Sequence, residues 1–91
     1  MFEWDEDKNE TNIEKHGVAF DDAVQVFSDP SRLILYDRGH SQNEDRYFCI
    51  GKIPGGILTV RFALREDSVR IIGAGYWRNG RKEYERRNNI H

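Results

Sequence analysis

The sequence predicts an α+β domain: two N-terminal helices packed on one face of a four-stranded, or five-stranded, antiparallel sheet, followed by a short C-terminal helix. Three observations predict it. An apolar stripe of helical period lies in the first third of the chain, the pattern shifts toward strands after Arg32, and runs of β-branched and aromatic residues then alternate with turn residues. With 91 residues the chain forms one domain, 1–91, with no room for a second core. The hydrophobic share of 37% is modest, but Trp, Tyr, Phe, Ile and Val recur in clusters, which a disordered segment lacks.

Phe2-Glu3-Trp4 reads as a short β-like start. Asp5 then caps a helix of about three turns, with Lys8, Asn12 and Lys15 at helical spacing and Gly17 as its C-terminal cap. His16 lies near the negative end of that helix. Phe20, Ala23, Val24 and Phe27 fall at i, i+3, i+4 and i+7 and predict a second helix, stopped by Asp29-Pro30. Four strands follow: Leu33 to Tyr36, Tyr47 to Ile50, Ile57 to Leu64, and Val69 to Trp77. Pro54-Gly55-Gly56 and Glu66-Asp67-Ser68 are hairpin turns, so these neighbours are antiparallel. Gly39 to Asp45 is the one long loop, and a final helix runs from about Gly80 to Asn88.

Alternation sorts the third strand into a core set, Leu58, Val60, Phe62 and Leu64, and an opposite set containing Arg61 and Arg65. In the fourth strand both parities contain apolar residues, so alternation does not choose a face there. With both N-terminal helices on the core side, the face carrying Arg61 is expected to be open.

Charge is unevenly distributed. Residues 1–45 carry 12 acidic and 4 basic side chains, a balance of −8, and residues 46–91 carry 4 acidic and 10 basic, a balance of +6. A basic face of this kind attracts phosphate or an acidic partner, although the two halves can also pair with each other. A single cysteine, Cys49, makes no internal disulfide, and no charged-then-apolar leader or membrane-length apolar run is visible, so the cytoplasm is the expected compartment.

Arg61 and Arg65 on an open sheet face, beside an aromatic strand end and a basic terminal helix, suit single-stranded nucleic acid. If such a face cleaved RNA without a metal, the 2′-hydroxyl would attack its own phosphate, and a base, an acid and a cation would be needed. The proton-transfer candidates are His16, His40, Lys8, Tyr76 and Tyr84, with His91 discounted at the chain end. Each has a plainer use: His16 as a helix cap, Arg61 and Arg65 as a solvated strand face, Tyr76 and Trp77 as core plugs. Arg81, Lys82, Arg86 and Arg87, mixed with Glu83 and Glu85, suit a salt-bridged helix surface. The scattered His and Cys residues give no metal-ligand spacing, and Gly73-Ala74-Gly75 is too short for a dinucleotide loop, so no metal or cofactor is expected.

The opening Phe2-Glu3-Trp4-Asp5, Lys8, Asn12, Lys15-His16-Gly17-Val18 and Phe20, followed by Ala23 to Pro30 and by Arg70-Ile71-Ile72, resembles the BrnT family of bacterial type II toxins over nearly the whole chain. The resemblance implies a compact RelE-like ribonuclease that inhibits translation by cutting RNA. It also implies a cognate DNA-binding antitoxin, contact with operator DNA only through the antitoxin complex, and a homodimer or toxin–antitoxin heterotetramer. Lys8 and His16 occupy matching places in the opening motif, and Arg61 lies in the strand from which the family presents a basic residue. Family members carry Ser-Ala-Arg after Arg-Ile-Ile, whereas this chain has Gly73-Ala74-Gly75, so the arginine expected at position 75 is replaced by glycine. Arg78 is the nearest substitute. The candidate catalytic set is therefore Lys8, His16, Arg61 and Arg78, with Arg65, Tyr76, Arg81 and Lys82 as RNA contacts. The rival expectations are a non-catalytic module that binds its partner in operon regulation, and a general single-strand RNA-binding domain.

Overall fold

The fold is described from a computed structural model for residues 1–89, which leaves His91 outside the described residues. Five strands form one sheet: β1 (Phe2–Glu3), β2 (Leu33–Tyr36), β3 (Arg46–Ile53), β4 (Gly56–Arg65) and β5 (Ser68–Gly75). Their spatial order is β1-β5-β4-β3-β2. The sheet is mixed rather than antiparallel, because the β-like start pairs in parallel with β5, Phe2 opposite Val69 and Glu3 opposite Arg70. Glu3 fastens that edge: hydrogen bonds from Ser68 and then Arg70 hold its carboxyl below the usual range despite some desolvation.

The first helix, α1 (Glu6–His16), has the expected ends. Asp5 accepts from the backbone N–H groups of Asp7 and Lys8, and Gly17 takes the left-handed φ of 68° that closes the helix. The predicted second helix shortens to α2 (Phe20–Ala23) and continues as a 3₁₀ turn over Val24–Ser28. Its apolar stripe still docks: Phe20, Ala23 and Val26 are fully buried against Leu58, Val60, Phe62 and Ile71. Leu64 departs from the expected core set, being 60% exposed at the end of β4 beyond the layer made by Phe27 on Phe62.

α1 has no apolar face to bury; its sole buried residue is Asn12. The Asn12 amide behaves as a piece of strand. Nδ2 donates to the carbonyls of Ala74 and Val18, both at 2.9 Å, and Oδ1 accepts from Ala74 N–H at 3.1 Å, pairing the edge of β5 past the end of β1. One turn earlier, Asn9 accepts from Phe20 N–H and caps α2.

The other face of the sheet is only partly open. α3 (Arg78–Arg87) crosses it, with Gly80 against the Thr59 side chain so closely that a methyl at that position would overlap the hydroxyl. Tyr84, buried, donates to Asp29, and Asn88 donates to the Ser31 carbonyl, tying α3 to the segment after the 3₁₀ turn. The face expected to be bare is therefore closed at one end. Among the described residues no helix is long and apolar enough to cross a membrane.

Candidate functional site

Register defines two rows across the face opposite the core. Leu35, Phe48, Arg61 and Gly73 are successive neighbours on β2, β3, β4 and β5, and the next row is Leu33, Ile50, Thr59 and Gly75. A β-bulge makes this possible. Phe62 pairs with Ile71 but Arg61 pairs with Gly73, so Ile72 is the extra residue and the parity of β5 reverses there. Ile71 and Ala74 thus both face the core, while Gly73 and Gly75 both face the site. The ambiguous parity of that strand was the trace of this bulge in the sequence.

Two glycines leave the site side of β5 without side chains, and the room is used differently at each. Gly73 stays open toward α1. Gly75 is covered by the indole of Trp77, which would stand only 2.6 Å from a Cβ at that position. The arginine expected at 75 thus has its space taken by an aromatic ring that the next turn of chain folds back over the strand. The Trp77 ring meets His16 edge-on, with centroids 5.3 Å apart, and lies 6.0 Å from the Arg61 guanidinium carbon.

Arg61 sits at the floor of a cavity of about 340 Å³ between α1 and the sheet, where Lys8, Lys15, His16, Ile72, Gly73 and Trp77 converge on it. Asp7 adds a single carboxylate to a lining that holds Lys8, Lys15 and Arg61, so the cavity is cationic. The guanidinium is also 5.7 Å from the Phe48 ring, and its buried Nε has no hydrogen-bond partner. Its nearest anion is Asp37, with Oδ2 at 3.9 Å. Its Nε faces Asp37, and its terminal nitrogens make no hydrogen bond or ion pair among the described residues, so a partly exposed guanidinium beside two aromatic rings is left to donate to an anionic oxygen.

Asp37, only 5% exposed, links Arg61 to His40. His40 Nδ1 lies 3.0 and 3.2 Å from the two carboxylate oxygens. A carboxylate only accepts, so Nδ1 carries the proton and Nε2 of this half-exposed ring is left for chemistry. Arg61 therefore has one histidine on the α1 side, reached through Trp77, and another on the β2 side, reached through Asp37.

The structure brings Lys8, His16 and Arg61 into one cavity and leaves the remaining candidates outside its lining. Arg78 is exposed on the first turn of α3. Tyr76 lies over the Pro54-Gly55 turn, close to Gly55. Arg65 pairs with Glu44 at 3.1 Å, Arg81 pairs with Glu85 at 3.3 Å, and Lys82 is exposed on α3. The acidic N-terminal half neutralises part of the basic half, through Glu3 with Arg70 and Glu44 with Arg65 and Arg46. Tyr84 is committed to Asp29, its hydroxyl pushed up to about 12 by burial and by that hydrogen bond. Burial likewise pushes the Cys49 thiol up to about 12, which leaves it inert. Among the described residues no group of three His, Cys, Asp or Glu side chains is placed to hold a metal.

Asp37 is not among the expected site residues, and the sequence leaves Trp77 open between the aromatic strand end of the arginine face and a plug for the core. The only local signal at Asp37 is His40 three residues on; its link to Arg61 comes from two strands away. Trp77 had one: it follows Gly75 by two residues at a strand end, where an aromatic can fold back over the space glycine leaves.

Residues 4–80 match the family described as the ribonuclease toxin BrnT of type II toxin-antitoxin systems. The chain belongs to the BrnT family. The match spans α1, α2, the whole stretch from β2 to β5 and the start of α3, so it includes every residue lining the Arg61 cavity. Membership in a type II family also implies a cognate antitoxin as partner. No curated relative matches the chain.

Proposed function

We propose that this BrnT-family chain is a metal-independent endoribonuclease whose Arg61 cavity receives the scissile phosphate. The observation that carries the proposal is the partly exposed Arg61 guanidinium, close to Phe48 and Trp77, lining one cavity with Lys8, Lys15 and His16. In the reaction the 2′-hydroxyl attacks the adjacent phosphorus, the P–O5′ bond breaks, and a 2′,3′-cyclic phosphate and a free 5′-hydroxyl result. Arg61 and Lys8 stabilise the added negative charge. The attacking and departing oxygens lie on opposite sides of phosphorus, so the proton acceptor and donor flank the phosphate. His16, which lines the cavity, and His40, joined to Arg61 through Asp37, supply that pair in this reading. Arg78, with Arg65, Arg81 and Lys82, carries the RNA backbone outside the cavity, and the stacking role considered for Tyr76 passes to Trp77.

The cut halts translation, and the antitoxin, a DNA-binding protein, blocks it by covering the cationic face; the complex represses its own operon. The indole standing where the family's arginine is expected favours a second function, a domain that keeps the fold and the antitoxin but has lost cleavage. One experiment separates the two. The chain is induced alone in a bacterial host beside Arg61→Ala, and growth and RNA 5′ ends are followed. Growth arrest with new 5′-hydroxyl ends, absent in Arg61→Ala and, with purified protein, insensitive to EDTA, is the expected result. Normal growth and intact RNA with folded, soluble protein would establish the non-catalytic function instead.

A further inference from the structure

We propose that an apolar slot beside the Arg61 cavity holds one base of the RNA, selecting bases that carry an exocyclic amino group; the inference rests on the ribonuclease function above. The slot, about 300 Å³, lies between the two register rows and the first turns of α3. Leu35, Phe48 and Ile50 form its sheet wall, Trp77 one end, and Asn79 and Glu83 the polar groups on its helical side. Trp77 lines both spaces, and Phe48 and Trp77 both approach the Arg61 guanidinium, so the slot begins within one nucleotide of the phosphate position.

An apolar slot walled by two rings, next to a cation and edged by an amide and a carboxylate, is complementary to a nucleotide part by part: ring against ring, phosphate against guanidinium, base edge against Asn79 and Glu83. An apolar protein side chain would use the walls and leave the edge groups facing it unmatched. Glu83 decides the selectivity. Hydrogen bonds from Arg86 and Arg87 keep its carboxyl below the usual range despite desolvation, so it is an acceptor without a proton to give. An acceptor of that kind matches the amino groups of adenine, cytosine and guanine; uracil offers it only the N3–H, flanked by two carbonyl oxygens that a carboxylate repels.

The test titrates the purified full chain with inorganic phosphate and with the four nucleoside 3′-monophosphates, read by calorimetry. At least one amino-bearing nucleotide is expected to bind about tenfold or more tightly than inorganic phosphate, the size that stacking on an aromatic ring provides. Leu35→Trp, which fills the slot, should erase that margin and leave phosphate binding unchanged. Asn79→Leu provides a second plug on the exposed first turn of α3, where folding is not at stake. A margin that survives both plugs in folded protein would overturn the slot, and an equal margin for uridine 3′-monophosphate would overturn the selection by Glu83. No margin for any nucleotide would overturn the proposal and leave the slot to an apolar side chain of a protein partner. Arg61→Ala keeps the two inferences apart: unchanged phosphate binding in that variant would sink the phosphate site while the nucleotide margin still reports on the slot.

Discussion

The two faces of β4 differ in what they leave unfinished. On one side Leu58, Val60 and Phe62 are closed over by α2 and its 3₁₀ continuation. On the other, one residue away in each case, Thr59 and Arg61 have buried polar atoms with no partner. Unpaired buried groups cost roughly 1–3 kcal/mol each, and a small domain has little to spare. Their concentration on one face teaches that this face is shaped for something other than stability, whereas the core face is shaped for little else.

Asn12 stands at the boundary of the two faces and gives the largest expected effect on stability. Asn12→Ala leaves the Ala74 N–H and two carbonyls unpaired, and should cost about 2–3 kcal/mol in urea denaturation. It should also loosen α1, and with it Lys8 and His16, which amide hydrogen exchange would detect as faster exchange across Glu6–His16. If α1 stayed protected, its attachment would not depend on the amide.

Gly80→Ala probes the closed end of the site face. Alanine is the better helix former by about 1 kcal/mol, yet here its methyl meets the Thr59 hydroxyl, and a net loss of about 1–2 kcal/mol is expected in thermal unfolding. Adding Thr59→Ala should recover most of it, and failure to recover would mean that α3 does not rest on Thr59.

The smallest effect is a pH dependence on the segment joining α3 to the core side. Burial raises the Asp29 carboxyl, but hydrogen bonds from Tyr84 and from the backbone of Lys52 and Ser31 outweigh it and hold the group below 3.8. A depressed carboxyl stabilises above its unfolded value and loses that contribution as pH falls through the folded value. Tyr84→Phe should therefore cost about 1 kcal/mol at pH 6, with the gap to the parent narrowing below pH 3.8. A gap that stays constant from pH 6 to pH 2 would remove the charge of Asp29 from the account.

Much of the fold was legible because its signals are local. Asp5 and Gly17 mark the ends of α1 by side-chain and backbone chemistry that needs no tertiary context, and the two hairpin turns fix three antiparallel strands. What was not legible is non-local. Parallel pairing of β1 with β5 joins residues about sixty-seven positions apart, as Phe2 and Val69 show, and no turn announces it. The 3₁₀ continuation of α2 keeps the spacing of its apolar residues close enough to α that the stripe alone does not distinguish them. In the candidate site, Lys8, His16 and Arg61 were expected from motif and charge and line one cavity, while Asp37 and Trp77 join them only when β2, β4 and β5 are laid side by side.

Val60 and Arg61 test the division most directly, being consecutive residues on opposite faces. Val60→Ala and Arg61→Ala should be compared for urea stability and for RNA cleavage in the same buffer, below both unfolding transitions. Val60→Ala should lose about 2 kcal/mol of stability and keep cleaving, because it only leaves a cavity in the core. Arg61→Ala should stay within about 0.5 kcal/mol of the parent and lose cleavage by about 100-fold or more. An Arg61→Ala protein that unfolds, or that cuts RNA at the parental rate, would contradict the assignment of stability to one face and chemistry to the other.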